Sequence, residues 1–182
     1  MKRVLLVLLL FVFFGCGNAY ADGFTLTSRD ISGQLSGDQV FSGFGCTGGN
    51  LSPQLSWGNA PEGTKSFAIT VYDKDAPTGS GFWHWVIFNI PADVKTIKRD
   101  AGNLNGKLAP AGSVQSTTDF GTAGFGGACP PEGAPPHSYV FTVYALGVEK
   151  LDLAPETPAA MAGFLIHQNT LAKASLVAYY SR

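Results

Sequence analysis

Two aspartates one residue apart, Asp73 and Asp75, close an apolar run, and His84 follows inside an aromatic stretch: residues 71 to 91 read VYDKDAPTGSGFWHWVIFNIP. Carboxylate and imidazole are groups that trade protons and hydrogen bonds near neutral pH. Asp73, Asp75 and His84 could also coordinate a divalent metal with positions left open for water and a phosphoester, although no fourth anchor accompanies them. Further on, GGACPPEG at 126 to 133 leads to His137-Ser138-Tyr139. Glycines there let a backbone approach a ligand closely, and paired prolines stiffen a wall. Each segment has a plainer reading. DKDAP can be a turn whose aspartates bond nearby amides, and a histidine among aromatics is commonly a core residue.

Strand ends would bring these groups together. Phe67, Ile69 and Val71 alternate with smaller residues over Ser66 to Tyr72, and Tyr139, Phe141, Val143 and Ala145 alternate over Ser138 to Leu146. Trp83 to Ile90 is apolar on both faces, which suits a central strand. Shorter strands are expected at Phe24 to Ser28 and Leu55 to Trp57, and a last one at Ser175 to Tyr180. A single helix is expected over Ala159 to Lys173, capped by Thr157, with Pro158 at its first position and Met161, Phe164, Leu165 and Leu171 on its apolar stripe. His167 lies in that helix, where packing or capping explains it. The pattern predicts an all-β fold, a mostly antiparallel, Greek-key-like β-sandwich with one C-terminal helix and short helical pieces. Ala101 to Pro136 is glycine-rich and without period, the kind of segment that builds a site or a lid.

Lys2-Arg3, the apolar run Val4 to Phe14 and Ala19-Tyr20-Ala21 form an export signal over residues 1–21, leaving residues 22–182 as one domain. The run is too short to span a bilayer, so no transmembrane segment is expected after cleavage. Phe13-Phe14-Gly15-Cys16 is a poorer match to a lipoprotein site, and cleavage after Ala21 is preferred. The mature chain is then periplasmic or secreted. Removing Lys2 and Arg3 takes the formal net charge from −1 to −3, which does not suit a nucleic-acid partner. Cys46 and Cys129 remain. In an oxidising compartment they are most simply a disulfide closing 83 residues, for which chain entropy allows at most about 4.5 kcal/mol. Two free thiols are the alternative.

Several spaced motifs resemble those of the phosphatidylethanolamine-binding, or Raf kinase inhibitor, protein family, in its exported bacterial branch. They are DKDAP at 73 to 77, GFWHWVIFNIP at 81 to 91, GGACPPEG at 126 to 133 and HSY at 137 to 139, with SGFGC at 42 to 46 and GGNLSPQLSW at 48 to 57. The resemblance implies a β-sandwich with a small anion pocket for phosphate or phospholipid head groups, lined by Asp73, Asp75, His84, Pro131, His137 and Tyr139. Histidines and the Tyr139 hydroxyl would donate to the anion, while the aspartates orient the imidazoles and raise their pKa, or meet an ammonium. Two positions depart from the family pattern: Lys74 stands where proline is frequent, and Ser138 where arginine is frequent, removing a strong anion partner.

The expected function is therefore that of a binding protein, without metal or cofactor, that modulates another protein. Rival readings are a protease inhibitor or envelope or host interaction factor acting through the glycine-rich loop, and a metal-dependent phosphoester hydrolase. No G-x-S-x-G elbow supports the enzyme. Whether the chain forms a homodimer is left open by the sequence.

Overall fold

Alternation in the sequence becomes pairing across a twisted antiparallel sheet. The structure, a computed structural model, describes residues 23–182; the expected export signal, with Cys16, lies outside them. Its elements are β1 (Thr25–Thr27), β2 (Ser42–Gly43), β3 (Cys46–Thr47), β4 (Leu55–Gly58), β5 (Ser66–Asp73), β6 (Phe82–Pro91), β7 (Thr96–Ile97), β8 (Val114–Gln115), β9 (His137–Leu146), α1 (Ala159–Gln168) and β10 (Thr170–Tyr180), with a 3-10 turn at Gly37–Gln39. The main sheet has the order β10-β9-β5-β6-β8, a smaller sheet the order β1-β4-β7, and β2 and β3 form a hairpin. β9 returns after a long excursion to lie beside β5, as Greek-key connections do.

Two cores follow from the two faces of the main sheet. On one face Ile69, Val71, Trp85, Ile87, Phe141 and Val143 meet Leu55 and Trp57 of β4 and Ile97 of β7. On the other, Ala68, Val86, Phe88 and Tyr144 pack against Ala159, Ala162 and Ile166 of α1. β6 is thus apolar on both faces because both are covered.

The helix differs from its sequence pattern. Pro158 is the residue before the first helical position and has no side-chain cap bond, while the Thr157 carbonyl accepts from the Ser116 hydroxyl. Its buried stripe is made of small residues, Ala159, Ala162 and Gly163 with Ile166; Met161 and Phe164 are exposed. Smallness is required because the Trp83 ring lies 3.2 Å from where a Cβ on Gly163 would sit. The helix ends at Gln168, five residues before Lys173, since Asn169 and Thr170 donate back to the Leu165 and Ile166 carbonyls at 2.8 and 2.7 Å. From Thr170 onward the backbone pairs with β9, so Leu171 belongs to a strand. His167 donates from Nδ1 to the Gly163 carbonyl at 2.7 Å, a local role.

Cys46 and Cys129 form a disulfide with a sequence separation of 83, fastening β3 to the loop before β9. Reducing it, or replacing both cysteines by serine, is expected to cost about 2–4 kcal/mol. Urea denaturation of oxidised and reduced protein measures this directly; coincident curves would remove the bond from the stability account.

Candidate functional site

Asp73, His84, His137 and Tyr139 come from three neighbouring strands and gather at one end of the face that carries the larger core. Register does most of the work: Asp73, the last residue of β5, pairs with Phe82 of β6 on one side and Tyr139 of β9 on the other. Since side chains two residues apart share a face, His137 and Tyr139 both lie on Asp73's side.

His84 would not join them by alternation alone. Trp85 faces the larger core, so its neighbour should face the helix. However, Val71 pairs with Trp85 while Tyr72 pairs with Trp83, which leaves His84 as an extra residue, a β-bulge. The bulge turns His84 onto the same face as Trp85, and its ring meets Tyr139 edge-on with centroids 5.2 Å apart. The glycine-rich loop locks it there. Gly126 N–H donates to the His84 carbonyl at 2.9 Å, and His84 Nδ1 donates to the Gly126 carbonyl at 2.8 Å. Asn50 holds the next amide, accepting from Gly127 N–H at 2.7 Å.

These groups line a cavity of about 200 Å³, with Pro77, Pro130 and Pro131 in its walls. That is smaller than the roughly 300–1,000 Å³ of pockets for drug-sized molecules. Larger clefts lie elsewhere, one of about 630 Å³ beside Tyr179 and Tyr180, but none of the chemically active residues borders it. Phe44, Phe82 and Phe120 complete the small cavity, and sequence reasoning singled out none of them. Phe120 is the hinge of this aromatic wall, stacked on Phe41 at 4.5 Å and meeting Phe82 at 4.9 Å and His84 at 5.4 Å. A faint signal exists in retrospect, since Phe44 is flanked by glycines and Phe120 precedes one.

Asp73 serves both readings that its sequence allowed. One carboxylate oxygen accepts from the Asp75 amide at 2.9 Å, making the turn, and the other accepts from His137 Nδ1 at 2.7 Å. The pair is buried on both sides, with side-chain exposures of 4% and 6%. The Tyr139 hydroxyl is fully buried and has no hydrogen-bond partner among the described residues. The family described as phosphatidylethanolamine-binding protein matches residues 31–181.

The chain belongs to that family. It is 52% identical to the UPF0098 protein YbcL of Escherichia coli over 90% of each chain, and 46% identical to YbhB of the same organism over 86% of this chain and 99% of that one. An Aquifex aeolicus UPF0098 protein is 34% identical over 94% and 95%. The crystal structure of E. coli YbcL, described as a new member of the mammalian PEBP family, superposes with a TM-score of 0.86, covering 87% of this chain and 98% of that chain.

Asp75 stands apart from the other residues that the resemblance to the phosphatidylethanolamine-binding proteins pointed to. It borders the outer cleft with Lys74, Pro135 and Pro136 and does not line the small cavity. Its carboxylate accepts from Lys74 Nζ at 2.8 Å and from the Ser138 amide at 2.7 Å. The Lys74 side chain and the main-chain amide of Ser138, which an arginine would offer equally, thus meet on one carboxylate, which ties the 73–77 turn to the start of β9. The proline wall has a guanidinium of its own, since Arg182 Nε donates to the Pro130 carbonyl at 2.7 Å.

Asp75 touches neither imidazole, and His84 runs against the expectation of a raised pKa. Burial pushes the His84 pKa down, outweighing the Gly126 carbonyl and the Asp73 charge, so the ring is neutral at pH 7. Burial likewise pushes the Tyr139 phenol up, keeping it protonated. Lys74 first, then Ser138, holds the Asp75 carboxyl down at about 2. A carboxylate lowered by folding stabilises above its unfolded pKa, near 4, and that support is lost as pH falls toward the folded value. Asp75→Asn should therefore remove about 1 kcal/mol at pH 6, discounted for the exposed Lys74 contact, and almost nothing at pH 2. Urea midpoints at the two pH values check it; an equal loss at both would show that the charge is not what matters.

Proposed function

We propose that this chain is a binding protein whose cavity accepts phosphate or a phospholipid-like head group, and that it acts by modulating another protein. The orphaned Tyr139 hydroxyl carries the reading. A hydroxyl buried without a partner costs about 1–3 kcal/mol, a penalty that an oxyanion seated in the cavity would relieve. His137, paired to Asp73 through Nδ1, has Nε2 left for the same ligand, with Asp73, His84 and Pro131 completing the contacts. Asp75 would act from outside, holding the turn. A phosphoester hydrolase is less well served: Asp75 faces away from the cavity and both Asp73 oxygens are taken.

A periplasmic or secreted location fits the disulfide, and no helix among the described residues is long and apolar enough to cross a membrane. The protein partner would then be an envelope or extracellular protein such as a protease. Titration with phosphoethanolamine, followed through the His84 and His137 ring signals by NMR, tests the pocket. Saturable shifts in both rings are expected; silent rings at millimolar ligand would move the function to the glycine-rich loop.

A further inference from the structure

The hydrogen-bonding groups around the cavity are fixed in a pattern that constrains its ligand beyond size and charge. A carbonyl oxygen can only accept, so His84 Nδ1 carries the proton that goes to Gly126, and the neutral ring keeps its lone pair on Nε2. The tautomer cannot be reversed cheaply, because Gly126 is itself bonded to the His84 carbonyl and its neighbour Gly127 is held by Asn50. Nor does the surrounding charge invite a bare anion. The groups facing His84 are the carboxylate of Asp73 on β5, the phenol of Tyr139 and the ring of His137 on β9, and, more distantly, Asp119, whose carboxylate accepts from the Trp83 amide at 2.8 Å. Among the described residues, no lysine or arginine lines the cavity.

An oxyanion entering here meets one donor, the Tyr139 hydroxyl, but a lone pair at His84 Nε2, a second at Nε2 of the neutral His137 ring, whose Nδ1–H goes to Asp73, and a negative charge at Asp73. An oxygen without hydrogen would be repelled by those last three. One that carries hydrogen can donate to Nε2 and turn the repulsion into a bond. Resting on the anion-pocket reading above and narrowing it, we infer that the cavity selects oxyanions that bring their own proton, taking free phosphate or a phosphomonoester with a P–O–H and rejecting both the isosteric sulfate and a phosphodiester, which has none. His84 and His137 are then the residues that set specificity, and Asn50 and the Gly126-Gly127 pair are positioning residues that fix the His84 tautomer.

The test uses wild-type protein and needs no variant. Inorganic phosphate, fluorophosphate and sulfate are titrated at pH 6.5 and equal ionic strength, with binding followed by imidazole 15N NMR. Phosphate keeps its proton at this pH, whereas fluorophosphate has fluorine in place of the hydroxyl and sulfate has no proton. Phosphate should bind about 10- to 100-fold more tightly than the other two, and it alone should shift His84 Nε2 toward the signature of a hydrogen-bond acceptor. A parallel titration of phosphate and phosphoethanolamine at pH 5, where the monoester also keeps its P–O–H, separates the sources of the group, since tighter binding than phosphate assigns the site to an organic head. Equal affinity for all three inorganic ions would overturn the inference while leaving the anion pocket standing. Binding of none would overturn both.

Discussion

Replacing Tyr139 by phenylalanine leaves the fold at least as stable and lowers the affinity for phosphoethanolamine about 10- to 100-fold. The two effects have one cause. In the free protein the phenol is fully buried and its oxygen has no partner among the described residues, so the hydroxyl contributes a desolvation penalty and no bond. Phenylalanine keeps the ring, its edge-on contact with His84 and its place opposite Asp73, while removing the penalty. With ligand bound, the hydroxyl would donate to a charged oxygen, a bond of about 1.5–3 kcal/mol that the variant lacks. Denaturation and titration on the same preparation separate the outcomes. A variant destabilised by more than about 1 kcal/mol, with binding intact, would mean that the hydroxyl serves the fold.

Asp73→Ala is the most destabilising single change expected in the site, at about 3–5 kcal/mol. It strips the partner from a buried imidazole and the acceptor from the Asp75 amide in one step. Asp73→Asn should cost less, because an amide oxygen still accepts one of the two bonds. Its NH₂ group, however, faces whichever donor remains, either His137 Nδ1–H or the Asp75 amide. The order alanine, asparagine, wild type in denaturation midpoint is the expected result. If alanine and asparagine fall together, the lost charge dominates; if neither moves the midpoint, the buried pair adds no stability.

Much of the sheet could be read from the chain because it depends on local alternation. Tyr139, Phe141 and Val143 fell on the core face as their spacing required, and the two-sided apolar run of β6 found cover on both sides. His84 illustrates what alternation cannot reach. Its direction is set by a bulge, and a bulge is a relation between strands that neither strand's residues declare. The end of α1 failed for the same reason: Leu171 continues the helical spacing, but pairing with β9 takes it into β10. Asp73 was legible as a turn residue and as a ligand-facing one, and it is both a turn residue and a lining residue of the cavity, because a carboxylate has two oxygens with separate partners. Phe44 and Phe120 were not legible, since an aromatic beside glycine states no direction until the disulfide and the 126–128 backbone close around it.

The central pairing of the main sheet, β5 with β9, has a consequence for the order in which the protein comes to exist. β5 and β6 are close in the chain and can form a hairpin early, but Asp73 and His137 are 64 residues apart. Closing so long a loop is a slow step for a sheet of this kind. During synthesis the first strand pair must wait with an unpaired apolar edge until β9 is made, and no half of the cavity can recognise anything by itself. A ligand of the proposed pocket would therefore be unable to guide the nascent chain; it would only stabilise the finished one, slowing its unfolding once the last wall is in place.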